Sequence, residues 1–594
     1  MKAYDFDPAP YERQITAIVA ALLASSPLDD RGLQRLLTRF PKAPGKLFSK
    51  TELIRGVRHF GPELGWDERA IIARLRLKPV RSHSGVCPVT VLTKPYPCPG
   101  RCVFCPNDVR MPKSYLSMEP GAQRAAQNRF DPYDQTAARL HAFHLNGHAV
   151  DKVELIVLGG TWTHYPEAYR IWFVKRCFDA LNDFSSSTPP RLDGSGVGAG
   201  YADLPERFDG CDPELSYNRI VGAFWRARRN PAAASSPPES ASWSELEAAH
   251  AENRDAVARC VGLSLETRPD EIDAATVVEL RRLGATKVQI GLQSLDDAIL
   301  AANRRGHDVA RSREAVALLR AAGFKVQAHW MANLLNASPE SDRADFDRLF
   351  SDPDFRPDEL KLYPNSLVES AELMRFWKAG AWRPYDDEEL LSVVTHGLEA
   401  APRYCRLSRV IRDIPGHDIV VGNKQSNFRE RAEAELGRRG LRAVDIRARE
   451  VRREIAPTRD LALRTTAYAS GIGEERFIEA VDAADRLAGF CRLALPDGRV
   501  GAPRPELEGA ALVRELHVYG PAAELGRRDR STAQHGGLGR RLLEAAEAQA
   551  ASAGFEAVAV ISAVGTRRYY EARGYEEAGL YHAKRFEPDV TRPG

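Results

Sequence analysis

Ile15, Ile18, Val19, Leu22 and Leu23 recur at the spacing of one helical face, and Leu33, Leu36, Leu37 and Phe40 repeat the pattern. Residues 11–77 therefore read as helices. Ser49-Lys50-Thr51-Glu52 looks like a helix start whose acidic residue stands one place short of a capping box. After Arg81 the period changes, and Val89-Thr90-Val91-Leu92-Thr93 is β-rich and leads straight into a loop of cysteines. Apolar runs at 153–158, 261–265, 287–291, 325–329 and 359–362 predict strands, with helices between them over 271–283 and 313–322. Such alternation predicts a parallel sheet covered by helices, a closed or partial TIM-like (β/α) barrel with its site at the C-terminal ends of the strands. The cysteine loop, Gly159-Gly160 and Glu266 all fall there. A third pattern follows. Strands at 486–495, 510–518 and 557–561, with a helix at 537–551, predict a separate mixed α/β domain.

The expected division is a helical segment at 1–80, a barrel domain at 81–400, a bridging region at 401–456 rich in Arg and Glu, and the second α/β domain at 457–594. Residues 185–200 and 230–242, rich in Ser, Pro, Gly and Ala, read as surface loops within an insertion of about 183–255.

Composition narrows the classes. Hydrophobic content of 43% and a mean hydropathy of −0.38 describe a soluble chain able to build large cores. No apolar run reaches the roughly 18 residues of a membrane span, and the N-terminus lacks the blocks of a signal peptide. Of nine cysteines, Cys87, Cys177, Cys211, Cys260, Cys405 and Cys491 are scattered, which fits a reducing compartment, so a cytoplasmic location is expected. Net charge is only +3, yet thirteen Lys and Arg face four Asp and Glu between Arg31 and Val86. Charge alone leaves two readings level: a solvated basic face, or a phosphate-binding surface.

The remaining cysteines, Cys98-Pro-Gly-Arg-Cys102-Val-Phe-Cys105, hold the densest chemistry. Three thiolates at this spacing suit three corners of a 4Fe-4S cluster and leave one iron open for S-adenosylmethionine. A structural zinc site needs four closed ligands, and no second Cys or His pair follows at suitable spacing. A second motif, Gln534-His535-Gly536-Gly537-Leu538-Gly539-Arg540, enters the 537–551 helix after a long strand. Backbone amides at such a helix N-terminus suit a pyrophosphate.

That order, with Tyr569-Tyr570 and Gly574-Tyr575 behind it, resembles the acetyl-CoA fold of the GNAT acyltransferases. With the cysteine loop, it resembles the catalytic subunit family of Elongator, the tRNA uridine-34 acetyltransferases. The likeness runs from about Lys42 to Phe586. It is carried by Ser49–Ile54, Ser84–Val86, Tyr96–Cys102, Asp151–Glu154, Gly262–Asp270, Lys361–Pro364 and Arg514–Gly520. It implies a reaction in which a radical made from S-adenosylmethionine takes hydrogen from the methyl of acetyl-CoA. The acetyl unit then joins C5 of the wobble uridine, and thioester hydrolysis leaves carboxymethyluridine.

Residue by residue, the resemblance implies cluster ligands at Cys98, Cys102 and Cys105, and an acetyl-CoA contact at Lys152. It implies an acetyl-CoA site at Glu515, Leu516, His517, Val518, Gln534, Gly537, Leu538, Gly539 and Arg540, with Tyr569 or Tyr570 reaching the thioester. Gly159, Gly160 and Glu266 would contact S-adenosylmethionine; Glu266 could instead pair with Arg268. The basic N-terminal segment, with Lys46, Lys50 and Arg55, would bind tRNA, and a pocket for a splayed uridine would lie between the domains. An electron donor is required, and a homodimer is compatible with the chain. The family's Cys-x-x-Cys pair is missing at Val444–Glu450, which makes a zinc site doubtful, and His329–Asn336 lacks the usual prolines and glycine. The rival readings are a protein lysine acetyltransferase with a structural barrel domain, and an idle tRNA-binding subunit.

Overall fold

The computed structural model describes residues 6–26, 28–77, 85–186, 188, 190, 216–228, 239–425, 427–451, 457–520 and 537–586. Nine strands belong to its first half: β1 (Cys87–Leu92), β2 (Lys152–Leu158), β3 (Arg259–Thr267), β4 (Lys287–Gln293), β5 (Lys325–Ala332), β6 (Glu359–Pro364), β7 (Leu367–Val368), β8 (Arg406–Val410) and β9 (Ile419–Val421). Seven of them pair in parallel in the order β1-β2-β3-β4-β5-β6-β8, a sheet curled into a half-barrel. β7 and β9 form a small antiparallel pair.

The strands alternate with period two, and the alternation sorts the barrel's faces. Leu263, Leu265, Val288, Ile290, Val326, Ala328, Leu360 and Leu362 are buried in the main hydrophobic core. Their neighbours Ser264, Glu266, Lys287, Gln289, Gln327, His329, Glu359 and Lys361 point to the other face. There they bond across strands: Gln289 Nε2 donates to Ser264 Oγ at 2.9 Å, and Lys325 Nζ lies 3.1 Å from Glu359. The inside of this half-barrel is polar.

The second half holds β10 (Ala462–Ser470), β11 (Gly473–Val481), β12 (Leu487–Pro496), β13 (Ala510–Val518), β14 (Ala557–Val560), β15 (Glu576–Ala578) and β16 (Tyr581–Arg585). Their order is β10-β11-β12-β13-β14-β16-β15, antiparallel except that β13 and β14 run parallel. That pairing covers Ala510–Val513 only; β13 then continues to Val518 paired solely with β12 among the described residues. The two strands part, and a cleft opens between them. The helix Leu538–Ser552 packs on this sheet through Leu542, Leu543 and Ala546.

A fully buried ion network joins the two halves. Asp358, on the turn before β6, accepts from both terminal nitrogens of Arg514 on β13, at 2.6 and 2.9 Å, and from the Val326 amide at 2.8 Å. Arg514 also reaches Glu475, and Arg492 lies 3.5 Å from Asp358.

The N-terminal helices Glu12–Ala24, Asp30–Arg39, Lys50–Leu64 and Glu68–Leu75 share their own core of Ile15, Ile18, Leu53, Val57, Phe60 and Ile71. Ser49 is the N-cap and Glu52 is N3, so the capping box expected to be one place short is complete. Some of the basic residues here serve the fold: Arg58 donates to the His144 carbonyl at 3.0 Å and Arg76 to that of Gly147 at 2.9 Å. The insertion also holds elements that the sequence reading did not assign. It carries two helices, Tyr217–Arg228 and Trp243–Asn253, the second started by a Ser242–Glu245 capping box. Tyr217 and Val221 are buried against Leu92, Val109 and Met111. Residues 191–200 and 230–238 lie outside the described residues. No described helix is long and apolar enough to cross a membrane.

Candidate functional site

The cysteine loop follows β1; its three thiols are each nearly buried, and Cys102 and Cys105 lie against each other. Gly100 N–H points at Cys98 Sγ from 3.4 Å, Thr161 Oγ1 also lies 3.4 Å from it, and Ser114 Oγ lies 3.2 Å from Cys105 Sγ. Two buried guanidiniums aim at Cys102: Arg305 Nη1 at 3.1 Å and Arg268 Nη1 at 3.6 Å. The Cys102 thiol is held well below its ordinary value by its hydrogen bond with Cys105 and, against burial, by Arg305 and Arg268. An electropositive pocket favours thiolates and any anionic cluster they hold. Gly100 leaves room for this contact, since a Cβ there would stand 2.0 Å from Arg268 Nη1. Three buried thiols in one loop and two guanidiniums facing Cys102 suit a 4Fe-4S cluster.

Gly159 and Gly160 follow β2 beside this loop at φ of 134° and 78°, a backbone that L side chains rarely adopt. A Cβ on Gly159 would meet Thr93 Oγ1 at 1.9 Å. Glu266 lies near the end of β3, where it accepts from the Tyr115 hydroxyl at 2.8 Å and lies 3.7 Å from His329 Nδ1. The alternative pairing of Glu266 with Arg268 is not made. Arg268 bonds Asp270 at 2.9 Å instead.

Lys152 stands at the other end. It opens β2 at the N-terminal end of the sheet, while Gly159 and Gly160 follow its last residue. A seven-residue strand puts those ends roughly 20 Å apart. Around Lys152 is a cavity of about 790 Å³, lined by Lys152 and Arg259 from the barrel and by Glu515, Leu516, His517, Val518, Gly537, Gly539, Arg540, Tyr569 and Tyr570 from the second half. The cleft left where β13 and β14 part forms one wall. Burial lowers the Lys152 ammonium, with Asp151 opposing. Burial alone would raise Glu515, but Lys325, 2.6 Å away, and Arg492 at 2.9 Å hold it below the ordinary carboxylate value. His517 is pushed down to about 4 by burial and stays neutral at ordinary pH.

Gly537 starts the helix in the left-handed region at φ 79°. Gly539 leaves room for Tyr569: a Cβ would stand 2.7 Å from its hydroxyl. Arg573 covers the Tyr569 ring at 3.4 Å, and Tyr570 is buried against Tyr569 and Tyr575. Leu538 packs into the core and does not line the cavity. Gln534 lies outside the described residues. Lys46 is exposed, Lys50 bonds Asp30 at 2.7 Å, and Arg55 is half-buried.

Sequence reading missed Arg305, Lys325, Arg492 and Tyr115. Their partners are far along the chain, and only the strand alternation that turns Lys325 inward gave a signal.

Comparison with known proteins bears on these two ends. The Radical SAM superfamily profile matches residues 240–350 and the Radical_SAM C-terminal domain profile matches 357–438. The half-barrel fold and these two matches thus define a radical SAM enzyme. A tRNA uridine(34) acetyltransferase of Dehalococcoides mccartyi is 37% identical over 85% of this chain and 99% of that protein. Elongator complex protein 3 of Homo sapiens is 33% identical over 87% of each chain. A solved structure of Methanocaldococcus infernus Elp3, lacking its N-terminus, superposes with a TM-score of 0.64 at 31% identity over 85% of this chain and all of that one. The chain belongs to the family of tRNA uridine(34) acetyltransferases and Elongator complex protein 3.

Proposed function

We propose that this protein modifies the wobble uridine of tRNA at C5, giving carboxymethyluridine with a two-carbon unit from acetyl-CoA. One observation carries the reading: a single parallel sheet has the buried thiol triad at one end and, at the other, a large cavity shared with the second half of the chain. Cys98, Cys102 and Cys105 would hold the 4Fe-4S cluster, with Gly159, Gly160 and Glu266 beside S-adenosylmethionine. Bound together, these two cofactors supply a carbon radical.

The second half is read as a GNAT acetyltransferase domain, and the parting of β13 from β14 supports this. The backbone of Glu515–Val518 would accept the acetyl-CoA arm, and the amides that open the Leu538–Ser552 helix would face its pyrophosphate. Lys152 is placed to meet a phosphate or the thioester from the barrel side. Tyr570 is buried between two other tyrosines, so the half-buried Tyr569 is the better placed of the pair to contact the thioester. The exposed Lys46 and its basic neighbours would meet tRNA phosphates.

The test is anaerobic incubation with tRNA, acetyl-CoA, S-adenosylmethionine and a reductant, followed by nucleoside mass spectrometry. The reading expects carboxymethyluridine from the wild type and none from Cys102→Ala. Turnover of acetyl-CoA on lysine peptides, with no response to tRNA, would overturn it in favour of a protein acetyltransferase.

A further inference from the structure

The helix Tyr217–Arg228 lies between two stretches of the insertion and grips the cysteine loop at three points. Asn218 is half-buried, and its side-chain amide bonds both backbone groups of Cys98: Oδ1 accepts from the Cys98 N–H at 2.9 Å, and Nδ2 donates to the Cys98 carbonyl at 2.6 Å. Two turns along, the Trp225 indole N–H donates to the Pro95 carbonyl at 2.8 Å. Tyr217 is buried, donates its hydroxyl hydrogen to the Met111 carbonyl at 2.8 Å, and carries Lys113 over its ring at 4.8 Å. Pro95, Cys98 and Met111 bracket the loop on both sides of the thiols.

We propose that Asn218 is a positioning residue for the cluster, acting through the backbone of Cys98. The physical case is specific to an amide. A loop with proline at 95, 97 and 99 has few N–H groups to anchor it, since proline supplies none. The Cys98 peptide groups have no ladder partner once β1 has ended at Leu92. A carboxamide offers a donor and an acceptor side by side on one carbon, in one plane. Asn218 therefore fixes the peptide planes on both sides of the Cys98 Cα, and so the direction of its thiol. A buried anionic site is also tuned by the hydrogen bonds around its ligands. The insertion is thus part of the radical site, supplied from 120 residues away.

The inference rests on the reading of Cys98 as a cluster ligand, so the experiment has one arm that needs no cluster. In the metal-free full-length protein, hydrogen exchange of peptides covering 96–105 should quicken roughly tenfold in Asn218→Ala, because the Cys98 amide and carbonyl both lose their Asn218 partner. Exchange over 510–518 should not change. In the anaerobically reconstituted protein, the same variant should retain less iron and show an altered electron paramagnetic resonance signal after reduction. Asn218→Asp, which keeps the acceptor for the Cys98 N–H and loses the donor, should fall between. Exchange at wild-type rate in Asn218→Ala would overturn the clamp. An unaltered cluster signal beside faster exchange would overturn its role in positioning the cluster. Absence of any cluster in the wild type would instead overturn the underlying reading of Cys98.

Discussion

Replacing Asp358 by Asn removes one negative charge from the buried weld between the two halves while keeping its shape. Asp358 is fully buried and lies at hydrogen-bond distance from both terminal nitrogens of Arg514, with Arg492 3.5 Å away. Burial alone would raise its carboxyl, but Arg514 and Arg492 hold it far below the usual carboxylate range. In Asp358→Asn, Arg514 keeps Glu475 and the Phe324 carbonyl at 2.6 Å, but two guanidiniums now share too little negative charge. Breaking one partner of a buried pair costs about 3–5 kcal/mol. In urea that lowers the midpoint by the lost free energy divided by the slope m, which grows with the surface that unfolding exposes.

The sign with pH follows from linkage. Asp358 is depressed in the folded protein, so its contribution is complete above the unfolded carboxyl value of about 3.9 and fades as pH falls towards the native one. The gap between wild type and variant should therefore be constant from pH 8 to 5 and narrow below about pH 4. The cavity has walls from both halves, so acetyl-CoA affinity should fall with stability. A variant within about 0.5 kcal/mol of wild type at pH 7, below the range for breaking a buried pair, would refute the weld. So would a gap that widens in acid.

Three further outcomes are expected. Gly539→Ala should displace Tyr569, whose hydroxyl would lie 2.7 Å from the new Cβ while Arg573 pins its ring; the Kd for coenzyme A by calorimetry should rise several-fold, with S-adenosylmethionine binding unchanged. Arg305→Met removes a cation 3.1 Å from Cys102 Sγ, so the reconstituted cluster should be harder to reduce, read as a more negative midpoint potential in a redox titration. Neutralising Lys46, Lys50 and Arg55 together should weaken tRNA binding and flatten its dependence of log K on log salt by roughly two to three.

Local chemistry was legible in the sequence and long-range pairing was not. The thiols lie within eight residues, so spacing alone announced them. The five central strands were found because their alternation is strong, although β3 begins two residues before its expected start and ends two after it. The cations that face Cys102 come from 166 and 203 positions away, which no pattern in a single chain reveals. Nearness in sequence offered Arg268 as the alternative partner of Glu266. The chain turns out of β3 after Thr267, so the two side chains part and Arg268 meets Asp270. The helix Tyr217–Arg228, between the two Ser- and Pro-rich stretches, was not assigned, although Val221, Phe224 and Trp225 are helical in spacing. Lys152 and the thiols were placed in one reaction by family resemblance. The structure sets them at opposite ends of the parallel sheet, with Lys152 opening β2 and the thiols following the end of β1.

That separation makes isotope transfer the most direct measurement of the central claim. Acetyl-CoA deuterated on its methyl should be supplied with S-adenosylmethionine, reductant and tRNA, and both nucleoside products weighed. If the two ends of the sheet serve one reaction, one deuterium appears in 5′-deoxyadenosine and two remain in the carboxymethyl group of the uridine. Deuterium absent from 5′-deoxyadenosine, with acetyl groups found intact on peptide or tRNA, would contradict the account.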